Sequence, residues 1–234
     1  MKAYRSLPIL ECHEPLAHIP PEQFSLWDPH PYLAEGADYG GISPWQLRVS
    51  VLDALIQAQS LLPEGLRLVI FDAYRPVPVQ SHMVLKAFMN LSGGRPPNLV
   101  PESERKRWLE KTYRIWAEPS DSPLSPPPHS TGAAVDLTLG NSEGHPIDMG
   151  SPIDENSERS LPDHFLNKDP LIHQNRACLL GVMEAAGFRR HAEEWWHFSL
   201  WDQMWCFTRA RETGTPPEMA RYGRADRIAS AGGG

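Results

Sequence analysis

The chain has 234 residues, with 22 Lys and Arg against 29 Asp and Glu and a formal net charge of −7; it carries no basic stripe of the kind that neutralises phosphates, which excludes nucleic acid as a default partner. Hydrophobic residues make up 41 %, enough for the core of one domain, yet no apolar run approaches membrane-spanning length and the N-terminus lacks the apolar stretch of a secretory signal. Three cysteines, Cys12, Cys178 and Cys206, form no C-x-x-C pair, and their odd number leaves one unpaired, which fits reduced thiols in a cytoplasmic protein.

Residues 1–43 alternate short apolar pieces with Pro, Gly and Asp, and read as an arm laid over the domain. In "SPWQLRVSVLDALIQAQSLLPEG" Ser43 predicts an N-cap, Pro44 the first helical position and Gln46 the end of a capping box. Trp45, Val49, Leu52 and Ile56 follow at helical spacing, and Pro63 to Gly65 ends the element. "LRLVIFDAYRP" reads as a buried strand that delivers Asp72 and Arg75 to its exit, where Pro76 stops it. "VQSHMVLKAFMNL" and "ESERKRWLEKTYRIWA" predict two helices separated by a Gly/Pro loop.

The stretch "SPPPHSTGAAVDLTL" comes next, a strand-forming run whose preceding prolines keep a helix from running into His129. Asp136 stands between Val135 and Leu137, and a buried carboxylate must be paired or bound to a metal. A polar loop from Gly140 to about Asp169 leads to "DPLIHQNRACLLGVMEAAGF", a helix with Asp169 as N-cap and Gly187 as its closing glycine. "EEWWHFSLW" predicts another strand, and residues 213–234 have too little apolar content to pack, so a loose tail is expected. Helices alternating with strands and long loops suggest a single α+β domain.

Four pieces carry chemistry: "DAYRP", "HSTGAAVD", "GSPID" and "EWWH". A hydrolytic zinc takes three protein ligands, usually imidazoles with a carboxylate, and keeps a fourth position open. His129, Asp136 and His197 can supply them, and Glu194 lies three residues before His197. In a regular strand Glu194 would face the other way, so a bulge or turn is required there. Each piece alone has an ordinary structural reading: His–x6–Asp pairs arise by chance, "EWWH" suits an aromatic core strand, and Arg75 before a proline can close a turn. Their joint presence points to a zinc peptidase.

In order and spacing "FDAYRP", "HSTGAAVDLTL", "MGSPID" and "EWWHF" resemble the D-alanyl-D-alanine dipeptidases, the VanX-type zinc peptidases related to the D,D-carboxypeptidases and to the hedgehog zinc fold. The resemblance runs from about Trp45 to Trp201. It implies a central, mostly antiparallel sheet flanked by helices, a zinc D,D-dipeptidase domain over 44–212, and D-alanyl-D-alanine as substrate, in the context of peptidoglycan and the cell wall. By it His129, Asp136 and His197 hold one zinc, Glu194 is general base and later proton donor, and Arg75 steadies the oxyanion. Asp154 pairs with the dipeptide's ammonium and acts as a size filter, while Tyr32 lines the same pocket. The family usually carries a small polar residue just before the first zinc histidine, whereas Pro126, Pro127 and Pro128 fill that approach here. There is no HExxH, and His191 reads as a surface residue or one that backs the site. A D,D-carboxypeptidase or cell-wall endopeptidase, or a non-catalytic zinc-binding module, are the competing readings.

Overall fold

The computed structural model describes residues 2–227. In chain order the elements are β1 (Leu16–His18), β2 (Ser25–Leu26), α1 (Pro31–Ala34), β3 (Gln46–Arg48), α2 (Val49–Ser60), β4 (Leu66–Asp72), α3 (Val77–Leu91), α4 (Glu102–Ile115), β5 (Ala134–Asn141), α5 (Pro170–Ala185), β6 (Arg189–Arg190), β7 (His197–Ser199) and α6 (Gln203–Thr213). β2, β4, β5, β7 and β6 form a five-stranded sheet in that order, antiparallel except for the short β2–β4 pair. The α+β architecture matches the expectation.

β5 lies at the centre of this sheet, and all its residues but Asn141 are buried. Leu68 and Ile70 of β4, Val135, Leu137 and Leu139 of β5 and Phe198 of β7 join Val51 and Leu55 of α2 and Leu179 and Met183 of α5 in one core. Burying each such side chain contributes about 1.5–3 kcal/mol. A polar residue on β5 is therefore surrounded by structure that cannot easily move.

The sequence misleads at Ser43. No helix starts there: Gln46–Arg48 is strand β3, paired antiparallel with β1, and α2 begins only at Val49. The Ser43 hydroxyl accepts from the Trp45 amide, a local turn rather than a cap. Tertiary pairing outweighs capping propensity because Arg48 is fully buried and must be satisfied. Its guanidinium donates to the carbonyls of Thr131 (2.7 Å), Glu14 (2.6 Å) and Gly223 (3.0 Å) and pairs with Glu11. The strand expected over "EEWWHFSLW" also shortens, to His197–Ser199, with a turn before it.

The expected loose tail is corrected too. Ala220, Tyr222 and Ala225 are buried, Ile9 bridges Ala220, and the amides of Leu10 and Cys12 donate to the carbonyls of Ala220 and Arg221. Backbone pairing between the N-terminal and C-terminal segments replaces the apolar content the tail lacks. Residues 228–234 of that expectation lie outside the described residues. Cys12, Cys178 and Cys206 are all free thiols, and no described helix is long and apolar enough to cross a membrane.

Candidate metal centre and active site

Asp136 stands opposite Asp72 of β4 on one side and opposite His197 of β7 on the other. Directly opposed residues share one face of a sheet, so three polar side chains line up across three strands. The β4 register shifts between Ile70 and Asp72, a bulge of the kind that re-aims a side chain at a strand end.

His129 arrives from a different element. The prolines lead into a single 3₁₀ turn, Pro128–Thr131, which contains His129 rather than merely preceding a strand. Gly132 ends it in the left-handed region (φ 72°), where a Cβ would come within 2.4 Å of the Leu16 side chain. The positive φ makes glycine the residue that fits without strain, whereas the Leu16 side chain could move aside. The Ser130 hydroxyl donates to the Arg75 carbonyl (2.7 Å) and the Arg75 amide to the His129 carbonyl (3.3 Å), so this turn and the exit of β4 are stitched together.

The three side chains converge. His129 Nε2 lies 3.2 Å from His197 Nδ1 and 3.2 Å from Asp136 Oδ2, and His197 Nδ1 lies 2.9 Å from Asp136 Oδ1. His129 Nδ1 donates to the Ala73 carbonyl (2.8 Å), so its Nε2 presents a lone pair to the group. Ligands about 2.0–2.1 Å from a tetrahedral zinc stand roughly 3.3 Å apart. The observed separations and the donor set, two imidazoles and a carboxylate, fit such an ion. Burial works against ionisation of Asp136, but the two imidazoles outweigh it and hold its carboxyl well below the usual range.

Arg75 is buried above this group. Its Nε and Nη2 both donate to Asp72 Oδ2 (3.0 and 2.8 Å), Nη1 donates to Gln80 Oε1 (2.8 Å), and Nη2 also reaches Tyr32 OH (3.0 Å) and Asp136 (3.3 Å). Its guanidinium carbon lies 4.6 Å from the centre of the Tyr32 ring and 5.1 Å from that of Trp116. Burial pulls its pKa down, yet Asp72, Tyr32 and Asp136 together raise it well above the ordinary value, which keeps the cation charged. Asp72 also holds His30 and Tyr39, so this carboxylate is the keystone that aims Arg75.

Glu194 and His197 face the same cleft because the chain turns through 192–193 before β7 starts. This is the break in regularity that their spacing demands. Burial raises the Glu194 pKa to about 8, with Asp136 adding to the rise and Lys2, His129 and Arg75 opposing it. His191 is buried, not a surface residue. Its Nδ1 lies 3.2 Å from Glu194 Oε1, its Nε2 3.2 Å from Lys2 Nζ, and burial holds its ring neutral.

Asp154, in the left-handed region (φ 65°) that Asp tolerates, accepts from Tyr32 OH (2.9 Å). Burial, with Asp136 behind it, raises its pKa to about 7. Its loop is clamped by Arg176, which donates to the carbonyls of Met149, Arg159 and Leu161. All seven residues singled out from the sequence thus gather in one region, Tyr32 through its bonds to Arg75 and Asp154. Asp72, which the sequence placed with Arg75 at the strand exit without a role, joins them, and so do Gln80, Trp116 and Lys2, which no motif marked.

A family model described as D-ala-D-ala dipeptidase, of the M15 peptidases, matches residues 47–213. The chain belongs to that family. Among relatives of the M15 dipeptidase family, the D-alanyl-D-alanine dipeptidase of Synechocystis sp. is 41 % identical over 97 % of this chain and 98 % of its own length. The Escherichia coli D-alanyl-D-alanine dipeptidase is 32 % identical over 66 % of each chain, and that of Enterococcus faecalis is 31 % identical over 66 % of this chain and 71 % of its own. Membership makes this M15 chain a peptidase that acts on a small dipeptide.

Proposed function

We propose that the protein is a zinc-dependent D-alanyl-D-alanine dipeptidase acting in the cytoplasm. The observation that carries this reading is the convergence of His129, Asp136 and His197 to within 4.8 Å of one another, with a buried carboxylic acid and a buried guanidinium lining the same cleft. These three residues would hold one zinc, which would supply Lewis acidity and make a water acidic enough to be deprotonated near neutral pH.

The chain's own groups then divide the work. Glu194 removes a proton from the attacking water and delivers it to the leaving amine nitrogen, a double use open to a buried carboxyl that lines the cleft beside the ligand trio. Arg75 is fixed by Asp72 and Gln80 before substrate arrives, so it stabilises the oxyanion as negative charge develops without having to reorganise. Asp154, with Tyr32 beside it, receives the free ammonium of the dipeptide. An added N-terminal residue or acetyl group would remove that ammonium from its partner, so the site selects dipeptides.

The test is hydrolysis by zinc-loaded protein of D-Ala-D-Ala, L-Ala-L-Ala and N-acetyl-D-Ala-D-Ala. D-Ala-D-Ala is expected to be cleaved at least about 100-fold better than the acetylated compound, in line with the loss of a buried charge pair. Equal turnover of the two would replace this reading with that of a D,D-carboxypeptidase.

A further inference from the structure

A dipeptide brings three groups to such a cleft: an ammonium, the scissile amide and a carboxylate. Asp154 suits the first, and Arg75 with the ligand trio suits the second. Two cationic side chains line the cleft, Arg75 and Lys2. Arg75 is committed to the scissile carbonyl, where its bonds to Asp72, Gln80, Tyr32 and Asp136 hold it.

Lys2 is not. Its hydrogen-bond partner is a neutral ring nitrogen, His191 Nε2 at 3.2 Å, and Glu194 and Glu193 act on it only through space. It is half-buried and partly stripped of water, so an incoming anion gains more from it than from an exposed lysine. Its place is fixed by its neighbours: Tyr4 is buried, Arg5 pairs with Glu118 (3.1 Å) and donates to the Ser125 carbonyl (3.1 Å), and the Gln203 amide holds the carbonyls of Arg5 and Leu7 (3.3 and 2.5 Å). A 3₁₀ turn over Ala3–Ser6 completes the mount.

Position then decides what Lys2 does. Through His191 it enters the cleft beside Glu194, whereas Asp154 enters through Tyr32 beside Arg75. Glu194 has to reach the leaving nitrogen, and in a dipeptide the carboxylate is only two bonds from that nitrogen. We propose that Lys2, carried on the N-terminal turn, receives the C-terminal carboxylate of the substrate and so makes the enzyme selective for free dipeptide acids. This rests on the dipeptidase reading above.

The experiment compares D-Ala-D-Ala with D-alanyl-D-alaninamide, using full-length zinc-loaded wild type, Lys2→Met and Lys2→Arg, each checked for zinc content and melting temperature. Wild type should prefer the acid. Lys2→Met should lose about 10- to 100-fold in kcat/KM on the acid, mainly through KM, and change little on the amide, while Lys2→Arg recovers most of the loss. A Lys2→Met enzyme that matches wild type on the acid overturns the assignment. So does one that loses equally on acid and amide, because Lys2 would then serve only to hold His191 and Glu194. Failure of the dipeptidase reading is distinct: it appears in wild type itself, as zinc-loaded enzyme that cleaves neither compound.

Discussion

The floor and the walls of the cleft are built by different means. The floor, Asp136 and His197 with Asp72 beside them, is fixed by a backbone ladder across β4, β5 and β7. The walls, the Asp154 loop and the Lys2 turn, are held by side chains reaching over long sequence distances: Arg176 to Met149, Gln203 to Leu7, Arg5 to Glu118. A ladder leaves no freedom to adjust, which suits ligands that must meet one ion within tenths of an ångström. Side-chain clamps can open, which suits surfaces that must let a substrate in.

The contrast can be broken most directly at the floor. A His129→Ala, His197→Ala double variant should fold yet lose both stoichiometric zinc and all measurable hydrolysis; retained zinc, measured by elemental analysis, would mean that the ion is held elsewhere. Glu194→Gln should keep its zinc and lose about 10² to 10⁴-fold in kcat. Glu193→Gln is the control, and equal losses from the two would reassign the base. Arg75→Lys should lower kcat more than raise KM, since a single ammonium cannot reproduce a guanidinium held by both Asp72 and Gln80.

At the wall the effects are smaller and selective. Asp154→Ala should lower kcat/KM on D-Ala-D-Ala by about 10- to 100-fold with zinc unchanged, and should narrow the gap to the N-acetylated compound. A uniform loss on both would place Asp154 outside substrate selection. The smallest effect concerns stability. In metal-free protein Glu194 keeps its proton up to a pH of about 8, whereas the unfolded chain releases it near 4.5. The native state therefore binds the extra proton over that window, so this group's contribution is intact below it and is lost as pH rises through it. Asp154, with a pKa of about 7, acts in the same direction. Melting temperature of the metal-free wild type should fall more between pH 5 and 8 than that of Glu194→Gln, by about 2 °C or more; parallel curves would contradict the shift.

What could be read from the sequence follows the same division. β4, β5, α3, α4 and α5 lie where composition and periodicity put them, because each is decided by neighbours within a few residues. The three ligand candidates were visible for the same reason, as a histidine behind three prolines, a carboxylate set in an apolar strand and a histidine ending an aromatic run. Ser43 and Gln46 misled because the buried Arg48, bonded to Thr131, Glu14 and Gly223, decides the conformation there. Lys2 left no trace in sequence, since its place depends on Glu118, Ser125 and Gln203, which hold the Arg5–Leu7 segment from far along the chain.

The joining of the two ends has a consequence for how the protein is made. Lys2 to Leu7 leave the ribosome about 200 residues ahead of Gln203, whose amide holds them. At roughly 5–20 residues per second, that is a wait of roughly 10–40 s. Ile9 must likewise wait for Ala220, and Arg48 for Gly223. A nascent chain can thus possess His129 and Asp136 long before residues 203–223 secure the segment that carries Lys2 to the cleft.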